Sequence, residues 1–184
     1  MNRARALELL HTHLSENSLR SHCLASEAVM RAMARAFGED EDTWGLAGLL
    51  HDLDFEITRD DMHRHGLETS KILAEEGLSP EICRAIEAHN GVNTGVEPCT
   101  RMETSLICAE TITGLVVACA LVLPDKSLAS LKPSSVVKRM KKKEFARSVN
   151  RDDIRRCEEV GLPLEQFAAL AVGAMQDIAA DIGL

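Results

Sequence analysis

Apolar residues recur at spacings of three and four along most of the chain, which is the period of an amphipathic α-helix. The clearest run lies between Asn17 and Gly38, where the apolar face is formed by Leu19, Cys23, Met30, Met33 and Ala34. No segment alternates apolar and polar residues in the way that a half-buried strand does. The pattern therefore predicts an all-α fold.

Short breaks at glycine, proline and acidic clusters separate the predicted helices. Asn17 is predicted to cap the second helix, Asp42 or Thr43 the third, and Ser79 with Pro80 the start of the fifth. The segment 56–64 is predicted to be a loop or a short turn of helix, and the segment 91–100 is predicted to be a loop. The predicted helices span residues 3–14, 18–37, 44–52, 65–76, 80–89, 101–123, 134–143, 152–160 and 163–182.

The connections are all short, and none has the composition of a linker. We therefore predict a single compact helical domain over residues 1–184. Within it we distinguish a motif-bearing core at about 18–122 and a helical C-terminal extension at about 123–184. A length of 184 residues, 45% of them hydrophobic, suits one domain with a sizeable core.

The composition favours helix over sheet and limits the kinds of molecule that the protein could bind. Aromatic residues make up only 3% of the chain, with no tyrosine and one tryptophan, and sheets are normally richer in them. The net charge of −8 argues against a nucleic-acid polymer as partner, because a phosphate backbone needs a basic face. None of the six cysteines forms a C-x-x-C pair, and most lie among apolar residues, which indicates reduced, buried thiols.

We expect a cytoplasmic protein without a membrane anchor. The first helix begins at the N-terminus without the apolar region of a signal peptide. The most apolar stretch, residues 115–123, has nine residues, whereas a transmembrane helix needs about 20. We therefore interpret the long helix over 101–123 as a core helix.

An adjacent histidine and aspartate, His51 and Asp52, end an apolar helical run. Neighbouring helical side chains point about 100° apart, so the two reach one point only if a third group lies between them. A divalent metal ion is the usual such group. The pair alone is weak evidence, however, because a histidine is also favourable at an ordinary helix C-terminus.

Other residues with metal-ligating side chains lie on separate predicted helices. His22 is on the apolar side of the second helix, His65 opens the fourth, and His89 ends the fifth. Glu110 lies inside an apolar run, where a carboxylate is costly unless it is paired or coordinated. Each of the three histidines also has an ordinary structural explanation, but inward-facing ligands from several helices are how a helical bundle builds a metal site.

The order of these motifs resembles the HD-domain superfamily of metal-dependent phosphohydrolases. Residues 20–24 resemble its first histidine motif, and residues 48–52 its His-Asp pair. Residues 65–66 and 88–90 resemble its two intermediate histidine motifs, and Ala-Glu at 109–110 lies where the family usually has Ala-Asp. The remainder resembles a small subgroup of stand-alone bacterial members.

The resemblance implies a set of metal ligands and a reaction. His22, His51, Asp52 and Glu110 would bind a first divalent ion, and His65 and His89 a second, with Asp52 bridging the two. The ions could be manganese, iron, cobalt, nickel, zinc or magnesium. Asp52 is then the predicted catalytic residue, which would orient a metal-activated water that attacks phosphorus.

The predicted substrate is a nucleotide or another small phosphorylated metabolite. Asp54, His63 and Arg64, in the polar segment after the His-Asp pair, are the candidate substrate-binding residues, with Glu56 and Arg59 as further candidates near the leaving oxygen. The basic run 138–143 could attract phosphate or could be a solvated helix face.

Two other functions remain open at this stage. One is a non-catalytic helical protein that binds a metal for structure or ligand sensing. The other is a di-iron oxygenase of the HD fold, because four histidines and two carboxylates would also suit iron.

Overall fold

The computed structural model describes residues 1–184 and contains helices but no strand, so the all-α prediction is confirmed. A 3₁₀ turn, Leu128–Ser130, precedes the helix that begins at Pro133, and another, Arg156–Glu158, follows the helix that ends at Arg155. The helices are α1 (Arg3–His13), α2 (Asn17–Phe37), α3 (Glu41–Leu50), α4 (Phe55–Thr58), α5 (Leu67–Glu75), α6 (Pro80–His89), α7 (Gly91–Thr94), α8 (Arg101–Leu121), α9 (Pro133–Met140), α10 (Arg151–Arg155), α11 (Leu164–Asp177) and α12 (Ala179–Ile182).

Several predicted helix starts were wrong by a few residues. Asn17 is the first residue of α2 rather than its cap, and the cap position before it has no side-chain hydrogen bond. The third helix begins at Glu41 because the carboxylate of Asp40 accepts a hydrogen bond from the Thr43 N–H. Ser79 does occupy the cap position of α6, but its hydroxyl makes no hydrogen bond there.

Three segments at the helix ends also differ from the prediction. The segment 91–100 contains the short helix α7, and the basic helix α9 ends at Met140 instead of continuing to 143. The last predicted helix is divided at Ile178 into α11 and α12.

The central helices are α2 and α8. Helix α2 packs against α3, α8, α11 and α12, and α8 also packs against α6, α9, α10 and α11. One buried cluster of apolar side chains extends from α1 to α11. The division into a core and a C-terminal extension stays a prediction.

Helix α8 is long and apolar enough to cross a membrane by length and composition alone. In the fold, however, 67% of its most apolar 18-residue window is buried among the other helices. Fourteen of its 21 residues are buried, including Glu103, whose side chain closes a capping box with Thr100. Its apolar surface is therefore used for packing.

Two glycines let the helices come close enough to form the site. A Cβ added at Gly48 would lie 2.6 Å from the backbone oxygen of Ser26, so α3 approaches the α2 backbone closely. Gly66 has a φ of +87°, which side chains other than glycine rarely adopt, and a Cβ there would lie 2.9 Å from the Ile86 oxygen. These contacts place His51 beside α2 and His65 beside α6.

Candidate metal centre

A cavity of about 360 Å³ opens where α2, α3, α6 and α8 meet. Five of the six predicted metal ligands line it, and the sixth, His51, is fully buried directly behind. The cavity is lined by Leu19, His22, Asp52, Phe55, Met62, His65, His89, Asn90 and Glu110. The fold therefore brings together residues that are up to 88 positions apart in the sequence, from His22 to Glu110.

The first cluster consists of His22, His51 and Asp52. The Nε2 atoms of the two histidines lie 3.2 Å apart. Asp52 Oδ1 lies 3.3 Å from His51 Nε2, and Asp52 Oδ2 lies 3.6 Å from His22 Nε2. One potential ligand atom from each residue lies within 4.8 Å of the others, so the three could hold one ion together.

The second cluster consists of Asp52, His65 and His89. The Nε2 atoms of His65 and His89 lie 3.0 Å apart. Asp52 Oδ1 lies 3.3 Å from the first and 3.6 Å from the second. Asp52 is common to both clusters, so its carboxylate could bridge two ions.

Hydrogen bonds behind the rings fix the orientation of the histidines. His51 Nδ1 lies 2.9 Å from the Gly48 carbonyl oxygen, and His89 Nδ1 lies 2.5 Å from the Ile86 carbonyl oxygen. A carbonyl oxygen only accepts, so Nδ1 carries the proton in both rings. In the neutral rings the Nε2 lone pair is then free and points toward Asp52.

Thr113 plays the corresponding role for His22. Its hydroxyl donates to the Glu110 carbonyl oxygen at 2.6 Å, so at the 3.0 Å contact with His22 Nδ1 it is the acceptor. The sequence reasoning missed this residue. Its only sequence signal is that it lies three positions after Glu110, on the same face of α8.

Asp54 was predicted to bind substrate, and the structure contradicts this because the side chain is fully buried and completely engaged. One carboxylate oxygen accepts from His65 Nδ1 at 2.8 Å. The other accepts from the backbone N–H groups of Gly66 at 2.8 Å and Thr69 at 2.9 Å. Asp54 therefore orients His65 from behind, as carboxylates commonly do for metal-ligating histidines.

The electrostatics of the site favour a cation. Burial lowers the pKa of His51 to about 3, so this ring is neutral at physiological pH. Burial acts to raise the pKa of Asp52, but the histidine rings around it, His51 first, hold it well below its usual value. Burial opposes the charged form of His65 as well, yet Asp52 and Asp54 raise its pKa to about 9.

Glu110 lies at the edge of the first cluster. Its Oε2 is 3.8 Å from His22 Nε2, and its Oε1 lies 2.5 Å from the Thr111 hydroxyl, which also contacts the Ile107 carbonyl oxygen at 2.7 Å. Burial raises the pKa of this carboxyl, with Asp52 contributing in the same direction. A bound cation would favour its ionised form.

The other two candidate substrate-binding residues lie outside the cavity. His63 is exposed, and its Nδ1 lies 2.9 Å from the Asn93 carbonyl oxygen. Arg64 is exposed and pairs with Glu68 at 3.2 Å. The structure thus gives neither residue a place in the site.

The two further candidates near the leaving oxygen are also engaged elsewhere. Glu56 accepts hydrogen bonds from Ser15 and Glu16, and Arg59 pairs with Glu16 at 2.7 Å. No lysine or arginine lines the cavity. Lysine and arginine side chains therefore do not balance the negative charge of the two carboxylates, Asp52 and Glu110.

Asn90 is a second residue that the sequence reasoning missed. Its amide donates to the Met62 carbonyl oxygen at 2.7 Å and to the His65 carbonyl oxygen at 3.0 Å. These bonds join the segment before α5 to the end of α6, and so hold His65 near His89. The sequence placed Asn90 in a histidine motif but gave no sign of what its side chain would contact.

Comparison with known proteins agrees with this arrangement. The model of the HD domain family matches residues 19–110, which is half of the chain and includes all six candidate ligands. No curated protein and no solved structure matches the chain. On the evidence of that match, this chain belongs to the HD domain family.

Proposed function

We propose that the protein is a metal-dependent phosphohydrolase that acts on a nucleotide or another small phosphate ester. The HD domain suggests a family of metal-dependent hydrolases that bind divalent ions. The observation that carries the proposal is the convergence of four histidine Nε2 atoms on the single carboxylate of Asp52. The Nε2 atoms of His22 and His51 lie 3.2 Å apart and those of His65 and His89 lie 3.0 Å apart, and unprotonated lone pairs at such distances repel one another unless a cation lies among them.

The residues fit two ions. His22, His51, Asp52 and Glu110 would hold the first, and Asp52, His65 and His89 the second. Imidazole nitrogen together with carboxylate oxygen suits manganese, iron, cobalt, nickel or zinc better than magnesium, which prefers oxygen alone. The fixed Nδ1–H donors mean that the rings need no rearrangement to offer Nε2.

Bound divalent ions would supply Lewis-acid chemistry, neutralising charge on the phosphate and making a water more acidic. Asp52 would accept a hydrogen bond from the attacking water and hold it in line with phosphorus. Leu19, Phe55 and Met62 line the same cavity and would exclude bulk water. No lysine or arginine lines the cavity, so neither type of side chain is in place to bind the phosphate.

The test compares the native protein with two alanine variants. Asp52→Ala should lose bound metal and the hydrolysis of generic phosphate esters with added Mn²⁺, Co²⁺ or Ni²⁺, while circular dichroism stays helical. Asp61→Ala is the matched control, because this exposed carboxylate follows α4 and lines no part of the cavity. Retention of hydrolysis by Asp52→Ala would refute the proposal.

Metal analysis of protein grown without added metal separates the two other functions. Two irons with a visible absorption band, and no hydrolysis, would point to oxygen chemistry on the same ligands. One tightly held ion with neither activity would point to a structural or sensing role.

A further inference from the structure

We infer that the substrate is a monoester with one phosphate and an uncharged organic group, and that this group lies in a second cavity on the other side of His22. The inference rests on the proposed function, because it takes the phosphate to lie at the two metal clusters. It narrows the substrate class to esters that carry no second phosphate and no charge on the organic part.

The second cavity has a volume of about 340 Å³, within the usual range for small-molecule sites. Small residues on two helices leave this cavity unfilled. Ser18, Ser21 and Ala25 line it from α2, and Gly114 lines it from α8. The side chain of Ile182, in α12, forms part of the opposite wall.

His22 connects this cavity with the metal centre, because its ring lines both. The residues of α8 continue the connection. Glu110 lines the first cavity, and Thr113, Gly114 and Val117 follow at helical spacings of three, four and seven on the same face and line the second. A molecule with its phosphate beside Asp52 would therefore place its organic group in the second cavity by passing over the partly exposed ring of His22, which lies between the two cavities.

The charged side chains around the two cavities indicate which phosphate esters could bind. Apart from the imidazole of His22, no ionisable side chain lines the second cavity. The nearby Arg20 donates to the Leu14 carbonyl oxygen at 2.7 Å and lines neither cavity. A second or third phosphate would thus have no lysine or arginine partner in the second cavity.

The uncharged lining also indicates what the organic group is like. Val117, Ile182 and Leu184 offer apolar contact, and the hydroxyls of Ser18 and Ser21 can bond to a polar atom. A mainly apolar group with a few hydroxyl or carbonyl oxygens matches this lining. A free sugar diphosphate or a nucleoside triphosphate does not.

The experiment measures binding and hydrolysis of a series of monoalkyl phosphates by the metal-loaded protein. Calorimetry should show affinity rising about four-fold for each added methylene, the gain expected for burying that group, until the cavity is full. Adenosine triphosphate should bind more weakly than the longer alkyl phosphates. Affinity that does not change with chain length, or tighter binding of the triphosphate, would overturn the inference.

Ser21→Leu should fill the second cavity and abolish the increase in affinity with chain length. The metal content of this variant shows whether the metal centre is intact. Ser134→Leu is the matched control, because this serine is exposed on α9 and lines neither cavity. If Ser21→Leu does not fold, Ser18→Leu repeats the test at an exposed position of the same wall. If a folded variant shows the same increase in affinity with chain length, the assignment of the organic group to the second cavity is refuted.

The two proposals fail in different ways. Suppose that affinity rises with chain length in the native protein and not in Ser21→Leu, but no ester is cleaved. The cavity assignment then stands and the hydrolase proposal fails. If all esters are cleaved with equal efficiency and bound with equal affinity, the hydrolase proposal stands and the cavity assignment fails.

Discussion

Replacing Asp54 by asparagine tests whether this buried carboxylate determines which nitrogen of His65 faces the metal centre. The substitution keeps the size of the side chain and removes one acceptor oxygen. In the native protein one oxygen accepts from His65 Nδ1, and the other accepts from the N–H groups of Gly66 and Thr69. Asparagine can offer its oxygen to only one of these two sides.

The two orientations of the amide differ in free energy. If its oxygen faces His65, its NH₂ group faces two buried backbone N–H donors, which then lose their acceptor at a cost of about 1–3 kcal/mol each. If its oxygen faces the backbone, its NH₂ donates to His65 Nδ1. His65 Nδ1 must then be unprotonated and the ring keeps its proton on Nε2, so no lone pair faces Asp52. The second orientation leaves fewer donors unsatisfied, and we expect it to prevail.

The expected result is loss of one of two bound ions. Affinity at the cluster of Asp52, His65 and His89 should fall about 10- to 100-fold, the usual effect of removing a group that orients a ligand. The other cluster should bind nearly as before. Calorimetric metal titration measures both affinities, and nitrogen NMR of the histidine ring reports the position of the proton.

Asp60→Asn is the matched control, because it makes the same change at an exposed carboxylate a few residues along the chain. It should bind metal as the native protein does. Unchanged stoichiometry and affinity in folded Asp54→Asn would refute the positioning role. A loss of equal size in both variants would mean that net charge, rather than orientation, controls binding.

Three further predictions follow from the site and its packing. Glu110→Asp should weaken the first ion about ten-fold in a metal titration, because shortening the side chain moves its oxygen away from His22, which it approaches to 3.8 Å; tighter binding would contradict this. Gly48→Ala should lower the free energy of unfolding by about 1–3 kcal/mol in a denaturant titration, because its Cβ would lie 2.6 Å from a backbone oxygen of α2; unchanged stability would show that α3 moves freely. The metal-free protein should be most stable near pH 6.5 in thermal melts across pH. The pKa of His51, lowered to about 3, gives stability that is lost as pH falls below about 6.5, and the pKa of His65, raised to about 9, gives stability that is lost as pH rises from 6.5 to 9. A stability that rises steadily to pH 9 would contradict the second part.

The sequence by itself determined the fold class and most of the candidate ligands. Helical periodicity is a local property, so the core helices were predicted close to their observed bounds. His51 and Asp52 stood out because an ionisable pair at the end of an apolar run needs a partner. The other histidines were recognised from the order of motifs along the chain, and this order can be read from the sequence without a folded structure.

Only the tertiary structure decided what each side chain contacts. Asp54 was assigned to the substrate because it lies in a polar segment, but packing of α5 against it buries the carboxylate behind His65. His63 and Arg64 were assigned on the same basis and lie outside the cavity. Proximity in sequence to the His-Asp pair did not indicate which way these side chains point.

The second cavity beside His22 also had no sequence signal. It depends on the separation of α2 from α8 and on a wall from α12, more than 60 residues beyond Gly114. The physical reason is the same in each case. Periodicity and capping depend on residues within one or two helical turns, whereas cavities and convergent ligand atoms depend on how distant helices pack.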